Sequence, residues 1–275
     1  MNEQKRILSV QDISCLGKCS NTVALPVLNA AGHECVMLPT ALLSTHTAGF
    51  TGFTFLDLTE EMGKILAHYD KMALRFDAVV TGYFGSAEQI ALLRSWMDGQ
   101  GESLRRYIDP VLGDGGKLYS IYDDNFVAAM RELVKGADVI TPNRTEACLV
   151  CGIPYEGEDY DEEQLGKLFA CFKEMGVGTA VITGVRTGDD EICACACDLR
   201  NGGEPFLIRG QYVKGSFHGA GDLFTAALVG KLENGASMEE GLTTAVDLVS
   251  ESLAGCIGSD KLYGPMFEQQ LTAFF

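Results

Sequence analysis

Short apolar runs alternate with longer amphipathic segments along most of this chain. The runs carry few charges and predict buried strands, and the longer segments repeat their apolar positions with a helical period. The predicted strands are 7–10, 35–38, 78–81, 107–108, 138–140 and 180–182, with a hairpin at the edge of the sheet from 192–197 and 205–213. The predicted helices are 21–28, 59–72, 87–97, 125–134, 162–175, 220–233, 238–254 and 266 to the end, with Asn21 as a cap of the first and a loop over 40–55.

This alternation predicts an α/β protein with a mostly parallel central sheet and helices on both of its faces. The chain has 275 residues, 47% of them hydrophobic, which is enough for a sizeable core. Because no linker, low-complexity tract or internal repeat interrupts the pattern, we expect a single domain over 1–275.

The charge balance of the chain limits its partners. The formal net charge is −17, so the surface repels nucleic acid and anionic lipid, and neither is expected as a partner. No apolar run is long enough to cross a membrane, and the first run is too short for the core of a signal peptide. We therefore expect a cytoplasmic protein. ATP would need backbone N–H groups and a divalent cation to offset the acidic surface.

The ten cysteines are expected to be reduced residues of the core. Cys193, Cys195 and Cys197 alternate as in a strand, which predicts that their three sulfurs share one face of a sheet. A metal site there is the alternative. The usual zinc spacing of two residues between cysteines is absent from this stretch, and the pair Cys148 and Cys151 has no obvious second pair.

A loop of small residues, Gly219-Ala220-Gly221, leads directly into an apolar helix and carries a carboxylate, Asp222, at its end. The N–H groups and the dipole at a helix N-terminus favour an anion such as phosphate. A carboxylate beside that anion suits proton removal from an attacking hydroxyl group, which indicates phosphoryl transfer to an alcohol. The alternative is a tight turn in which Asp222 is an ordinary helix N-cap.

Polar side chains recur where the predicted strands end, the edge at which ligands bind in such sheets. Three carboxylates in this set are suited to hold magnesium, directly or through water, and Thr183 can donate its hydroxyl to a phosphate oxygen. Asn143 stands before a helix, so a cap is its alternative role. The set comprises Asp109, Asp114, Thr141, Asn143, Glu146 and Thr183, with Gly82-Tyr83 at another strand end.

Four motifs of this chain resemble those of the ribokinase-like superfamily in identity and order, and most closely those of the pyridoxal kinases. They are Asp109-Pro110-Val111-Leu112-Gly113-Asp114, Thr141-Pro142-Asn143-x-x-Glu146, Val181-Ile182-Thr183-Gly184 and Gly219-Ala220-Gly221-Asp222. The resemblance covers nearly the whole chain and implies the three-layer ribokinase-like fold, ATP and Mg²⁺ as cofactors, and a homodimer. Whether a monovalent cation assists stays open.

The resemblance also assigns roles. It implies that Asp222 is the catalytic base and that the N–H groups of Gly219, Ala220 and Gly221 form the anion hole. The nucleotide would contact Asp109, Thr141, Asn143, Glu146 and Thr183, and magnesium would lie near Asp109, Asp114 and Glu146.

The substrate side rests on further similarities to the pyridoxal kinases. The loop from Ser44 to Phe50 resembles that family's substrate loop and contains its His-Thr pair as His46-Thr47. Tyr83 follows a predicted strand and resembles the tyrosine that lies over the pyridine ring in those kinases. Asp12 departs from the family, because many of these kinases have a serine there that contacts the pyridine. A carboxylate can pair with a protonated ring nitrogen or an amine, which favours pyridoxamine or an aminopyrimidine.

We therefore expect ATP-dependent phosphorylation of the 5′-hydroxyl of pyridoxal, pyridoxamine or pyridoxine. A kinase of the same superfamily that acts on hydroxymethylpyrimidine or a sugar is the nearest alternative, and the aromatic Tyr83 favours a flat ring over a sugar. A non-catalytic protein that binds nucleotide or vitamer is the remote alternative, and the presence of Asp222 argues against it.

Overall fold

In a computed structural model, which describes residues 4–215, 217–258 and 260–274, the first strands form one parallel layer. Strand β1 pairs in parallel with β2 on one side and β4 on the other, and the short β3 adds antiparallel to β2. Nearly every residue of β1 is buried, as expected for a strand that is covered on both faces. The elements up to Gly85 are β1 (Arg6–Ser14), α1 (Asn21–Ala30), β2 (Glu34–Leu43), β3 (Phe55–Asp57), α2 (Thr59–Lys71) and β4 (Ala78–Thr81).

The residues from Ser86 to Gln211 form a second compact unit with its own layer of strands, in the order β11-β10-β9-β8-β5. Strands β5, β8 and β9 are parallel, while β10 and β11 continue the layer antiparallel. Its elements are α3 (Ala87–Asp98), β5 (Arg105–Ile108), β6 (Gly113–Asp114), β7 (Lys117–Leu118), α4 (Asp124–Val134), β8 (Val139–Ile140), α5 (Arg144–Cys151), α6 (Glu162–Glu174), β9 (Thr179–Gly188), β10 (Glu191–Asp198) and β11 (Phe206–Gln211).

The four helices of this second unit begin alike. In each, the side chain of the N-cap residue accepts a hydrogen bond from the backbone N–H three residues later, which satisfies one of the donors that a helix start leaves unpaired. These caps are Ser86, Asp123, Asn143 and Asp161.

The chain then returns to the first unit, which also contains the residues from Tyr212 onward. Helix α7 (Ala220–Glu233) is buried along most of its length and packs against α1 and α8 (Met238–Ala254). A 3₁₀ turn (Lys261–Tyr263) and α9 (Leu271–Phe274) follow. The predicted alternation of strands and helices is confirmed, whereas the single domain over 1–275 stays a prediction beside these two compact units.

Three local predictions were wrong. Asn21 is the first residue of α1, with Ser20 in the cap position, because its amide group donates to the Gln11 carbonyl at 2.7 Å instead. The loop predicted over 40–55 is shorter, because β2 continues to Leu43 and β3 begins at Phe55. The last helix occupies only Leu271–Phe274 among the described residues.

The three alternating cysteines of β10 are buried. Cys193, Cys195 and Cys197 are 3%, 2% and 6% exposed, and the pairing of β10 with β9 shifts register between the first two. All ten cysteines carry free thiols. Within the described ranges, no helix is both long and apolar enough to cross a membrane.

Candidate active site

The N-terminus of α7 has the geometry of an anion site. Gly219 occupies the cap position with φ 85°, in the left-handed region that favours glycine, and a Cβ there would overlap the carbonyl oxygen of Lys18. The first N–H groups of a helix have no partner within the helix, so those of Ala220 and Gly221 suit an incoming anion. Asp222 lies in this first turn. The alternative that made Asp222 the N-cap is therefore wrong.

The Asp222 carboxylate is half-buried and held by the backbone. Its Oδ2 accepts a hydrogen bond of 2.8 Å from the N–H of Ser20. Burial raises the pKa of Asp222 to about 6, and the negative charge of Asp12 raises it further, while the Ser20 N–H acts in the opposite direction. A carboxylate with this pKa is ionised at neutral pH and is still basic enough to accept a proton during catalysis.

Asp12 is placed by an irregularity in β1. The pairing of β1 with β2 shifts register between Gln11 and Ile13, and such bulges redirect a side chain. Asp12 is only 5% exposed, and its Oδ2 accepts a 2.9 Å hydrogen bond from the Ser14 hydroxyl. Burial raises the pKa of the Asp12 carboxyl, and hydrogen bonds from the Ser20 and Ser14 hydroxyls oppose that rise.

Tyr83 lies close enough to Asp12 to respond to its charge. The half-buried phenol has its pKa raised to about 12, first by burial and then by the negative charges of Asp12 and Asp57. The backbone at Tyr83 is fixed by the Thr40 hydroxyl, which donates to its carbonyl at 2.9 Å. Asp12, Tyr83 and Asp222 thus belong to one electrostatically coupled group.

His46 is 5% exposed, and one of its ring nitrogens is held by the backbone. Its Nε2 lies 2.7 Å from the carbonyl oxygen of Leu262, which can only accept, so Nε2 carries a proton. Nδ1 is buried and has no hydrogen-bond partner among the described residues. Phe50 packs edge-on at 4.8 Å between ring centroids, and a Cβ on Gly17 would overlap the His46 ring.

Two further residues, His218 and Thr47, are neighbours of His46 in space or in the chain. The His218 ring packs 5.1 Å from the His46 ring. Thr47 is exposed, and its contact with substrate stays a prediction.

In the second unit, Asn143 and Glu146 form a capping box at the start of α5. Asn143 Oδ1 accepts from the Glu146 N–H at 2.9 Å, and Glu146 Oε2 accepts from the Asn143 N–H at 2.8 Å. Glu146 Oε1 accepts from the N–H of Leu112 at 3.1 Å, and Asn143 Nδ2 donates to the Gly113 carbonyl at 2.9 Å. This pair therefore fixes the segment before β6 to the start of α5.

Glu146 is poorly suited to bind magnesium directly, because both carboxylate oxygens already accept backbone N–H groups. Burial raises its pKa to about 8. Asp114 is different: it is exposed, and its described contact is the Gly115 N–H at 2.8 Å. Among the described residues, no three His, Cys, Asp or Glu side chains are placed to hold a metal ion together. Asp114 fits Mg²⁺ best, since Mg²⁺ often takes one or two carboxylates and completes its shell with phosphates and water.

Of the other predicted nucleotide residues, two directly follow strands of the second unit and Thr183 lies within one. Asp109 and Thr141 are 5% and 6% exposed, just after β5 and β8. Thr183 bridges in parallel to Asn143, with its N–H donating to the Pro142 carbonyl at 2.9 Å. Asn143 and Thr183 are thus brought together, although β9 continues to Gly188 and does not end at Thr183 as predicted. Their contacts with nucleotide stay predictions.

Sequence reasoning missed Ser20. The N–H of this residue holds Asp222, and the available sequence signal was a serine directly before the residue that we expected to cap α1.

A model of the phosphomethylpyrimidine kinase family matches residues 25–267 of the chain. The chain belongs to this family. A pyridoxine/pyridoxal/pyridoxamine kinase of Bordetella avium is 30% identical over 254 residues, which cover 90% of this chain and 84% of that protein.

Two solved structures are similar over almost their full lengths. A pyridoxal kinase of Lactobacillus plantarum has a TM-score of 0.90 and 33% identity, covering 99% of this chain and 97% of that one. A Bacteroides thetaiotaomicron protein classed with the phosphomethylpyrimidine kinases, in a crystal form with pyridoxal, has a TM-score of 0.93 and 34% identity, covering 99% and 96%. These findings confirm the predicted ribokinase-like fold, the kinase class and the resemblance to pyridoxal kinases.

Proposed function

We propose that this member of the phosphomethylpyrimidine kinase family transfers the γ-phosphoryl group of ATP to the 5′-hydroxyl of pyridoxal, pyridoxamine or pyridoxine. The observation that carries the proposal is Asp222 in the first turn of α7, with its pKa raised to about 6. The relatives named for pyridoxal, and the one crystallised with it, support a B6 vitamer as the acceptor.

In this reaction Asp222 accepts the proton of the 5′-hydroxyl group while the oxygen of that hydroxyl group attacks the γ-phosphorus and ADP leaves. Ser20 fixes one carboxylate oxygen through its N–H, which leaves Oδ1 for the substrate. The N–H groups at the start of α7 stabilise the negative charge on the transferring group. Magnesium neutralises phosphate charge when it is bound. Among the described carboxylates of the predicted magnesium set, Asp114 would hold it best, because it is exposed and its described contact is one backbone N–H.

On the substrate side, the buried Asp12 supplies a negative charge, and His46 Nδ1 is a buried ring nitrogen that has no partner among the described residues. The negative charge favours a ligand that carries donors, such as a protonated ring nitrogen, an amine or a phenol. We propose pyridoxamine as the preferred vitamer for this reason. Tyr83 and Thr47 complete the proposed substrate set.

The direct test is ADP release with ATP and magnesium, with pyridoxal, pyridoxamine, pyridoxine and hydroxymethylpyrimidine each offered separately. Asp222→Asn should lose about 10²–10⁴-fold in kcat, because it removes the base but keeps an oxygen for the Ser20 N–H. Asp247→Asn, on an exposed position of α8, is the matched control and should keep normal turnover. Normal turnover of a vitamer by Asp222→Asn would contradict the assignment.

Hydroxymethylpyrimidine is the competing substrate because the matching family model is described as a phosphomethylpyrimidine kinase. Turnover of that compound alone would keep the mechanism and replace the substrate. Asp12→Ser tests the vitamer preference: it should raise KM for pyridoxamine more than for pyridoxal. Equal changes would contradict a role of Asp12 in choosing the vitamer.

We also propose a homodimer through the edge strand β3. All three of its residues are exposed, and Leu56 lies directly opposite Leu42 of β2, both large apolar side chains in solvent. An exposed apolar edge strand is a surface that proteins normally cover. Light scattering should give about twice the chain mass, and Leu56→Lys should give the monomer.

The free thiols suit a reducing compartment, which supports the predicted cytoplasmic location.

A further inference from the structure

The 3₁₀ turn near the end of the chain (Lys261–Tyr263) leads directly into a tight backbone contact. Gly264, the residue after the turn, has φ 81°, and a Cβ there would come within 2.8 Å of the Lys18 carbonyl oxygen. A Cβ on Gly219, the cap residue of α7, would overlap that same oxygen. Because one carbonyl group packs against both glycines, the turn ends beside the start of the proposed anion site. None of the residues of the turn has a task in the reaction proposed above.

The turn contacts the loop over 44–50, which carries the proposed substrate residue His46. The carbonyl oxygen of Leu262 accepts a hydrogen bond of 2.7 Å from the Nε2–H of His46. The Leu262 side chain lies so close to Gly49 that a Cβ on this glycine would overlap it. The backbone and a side chain of the turn therefore both hold this loop.

The turn also contacts the segment before α7, here Lys214, Phe217 and His218. The ammonium group of Lys261 donates to the Lys214 carbonyl at 2.5 Å and lies 4.9 Å from the centre of the Phe217 ring. A cation is attracted to the face of an aromatic ring, so this side chain has two favourable contacts with the segment. A Cβ on Gly264 would also come within 3.2 Å of the His218 carbonyl oxygen. The turn thus holds the residues that lead to the cap of α7.

The turn adds little to the apolar core, and its contacts are directed at these two parts of the proposed site. Lys261 and Leu262 are half-buried, and Tyr263 is 46% exposed. The two parts meet here, since the rings of His46 and His218 are 5.1 Å apart. We propose that Lys261 and Leu262 are positioning residues for the two sides of the site. Leu262 holds the loop over 44–50, and Lys261 holds the segment before α7.

This inference rests on the proposed function, which assigns the loop over 44–50 to the vitamer and the start of α7 to the transferring phosphoryl group. A substrate loop that is already held costs less to order when the vitamer binds, so loss of Leu262 should raise KM. A misplacement of about 1 Å at the reacting groups can cost about 10²-fold in rate, so loss of Lys261 should lower kcat. A merely structural turn would change stability and leave this division absent.

The role of Leu262 is tested with Leu262→Ala, which keeps the backbone carbonyl and removes the packing against Gly49. This variant should raise KM for the preferred vitamer about fivefold, with kcat within about twofold. Ile257→Ala is the matched control, because it also shortens an apolar side chain near the turn, one that is 73% exposed, and it should leave both constants unchanged. An unchanged KM in Leu262→Ala, or an equal rise in the control, would overturn this half of the proposal.

The role of Lys261 is tested with Lys261→Met, which keeps an unbranched side chain and removes the ammonium group. This variant should lower kcat about three- to tenfold, with KM for the vitamer within about twofold. Lys261→Arg keeps a donor for the Lys214 carbonyl and a cation for the Phe217 ring, so it should keep kcat within about twofold of wild type. Lys64→Met is the control for the loss of one positive charge, because Lys64 forms its ion pairs within α2.

Two results would overturn the role of Lys261. Equal kcat in Lys261→Met and Lys64→Met would show that the contact with the Lys214 carbonyl does not position the anion site. A higher KM for ATP with unchanged kcat would show that the ammonium group binds the nucleotide directly instead of holding the segment before α7.

Failure of the proposed function can be told apart from failure of this inference. Absence of turnover by the wild-type protein with every vitamer would refute the function alone. Hydrogen exchange of the backbone amides, measured by mass spectrometry without substrate, then tests the turn. Exchange should be about tenfold faster over 44–50 in Leu262→Ala and over 214–218 in Lys261→Met, and unchanged in the two control variants. Unchanged exchange in Leu262→Ala and Lys261→Met would overturn the inference.

Discussion

The acid limb of the pH–rate profile should follow the charge of Asp222. Its pKa is raised to about 6 because the carboxyl is buried and because Asp12 is negatively charged nearby. The hydroxyl proton can be accepted only by the ionised carboxylate, so kcat should fall as the pH falls through this value. Replacing Asp12 by Asn removes the neighbouring charge and should move the limb to lower pH.

The size of the effect follows from the position of the pKa. With a value of about 6, about nine-tenths of Asp222 is ionised at pH 7 and about one-tenth at pH 5. Turnover at pH 5 should therefore be about a tenth of its plateau, with a tenfold loss for each further pH unit. An unperturbed aspartate with a pKa of about 3.9 would lose less than about a tenth of its activity at pH 5.

The assay is kcat at saturating ATP and vitamer from pH 4.5 to 8.5, for wild type, Asp12→Asn and Asp57→Asn. The ionisation of the vitamer and of ATP is the same in all three assays. A difference between the profiles therefore reports a change in the ionisation of the protein. Asp57→Asn is the matched control, because Asp57 acts on Tyr83 and is not among the groups that shift Asp222.

Two results would refute this reasoning. A wild-type limb near pH 4 would show that burial does not raise the pKa of Asp222. A limb that shifts equally in Asp12→Asn and Asp57→Asn would show that the charge of Asp12 has no specific effect on the base.

The remaining predictions concern stability and the anion site. Gly219→Ala should abolish turnover and destabilise the protein by more than about 1 kcal/mol, because the added Cβ of this left-handed residue would overlap a carbonyl oxygen. The control is Gly235→Ala, at φ 84° with open space around the added Cβ, and this variant should fold and keep its kinetics. Glu146→Gln should cost about 1–3 kcal/mol in urea unfolding, because an amide group then faces a backbone N–H in a buried capping box, while Glu240→Gln in the exposed box of α8 should cost less than about 1 kcal/mol. Asp222→Asn should unfold at a higher temperature than wild type at pH 7.5, because it removes a buried negative charge, and it should lose this advantage at pH 4. Equal melting points of the two proteins at both pH values would contradict a free-energy cost of burying the ionised Asp222 carboxyl.

The parts that local sequence determines were predicted well. The helix predicted over 59–72 is α2 (Thr59–Lys71), and the strand predicted over 78–81 is β4 (Ala78–Thr81). Apolar periodicity and glycine punctuation define such elements without reference to the rest of the chain. The loop before α7 was equally visible, because Gly219-Ala220-Gly221 before an apolar helix is a local pattern.

The details of the site depend on contacts that local sequence does not contain. The N–H of Ser20 contacts Asp222, far along the chain, and no sequence pattern around Ser20 predicts its positive φ. Glu146 differs, since Asn143-x-x-Glu146 is a readable capping-box pattern. The sequence placed Glu146 near magnesium, which stays a prediction, and its two hydrogen-bonded oxygens also give it a structural task.

The demands of catalysis and of folding oppose each other at Asp222. Because its folded pKa lies above the ordinary aspartate value of 3.8, the folded state favours the protonated form. The stability that this group contributes is fully present below about 3.8 and is lost as the pH rises through about 6, the range in which the proposed base becomes ionised. The Ser20 N–H reduces this cost, because it stabilises the charged carboxylate. The strained backbone of Ser20 is therefore explained by the donor it presents, since a relaxed cap serine would stabilise α1 and leave the base without its partner.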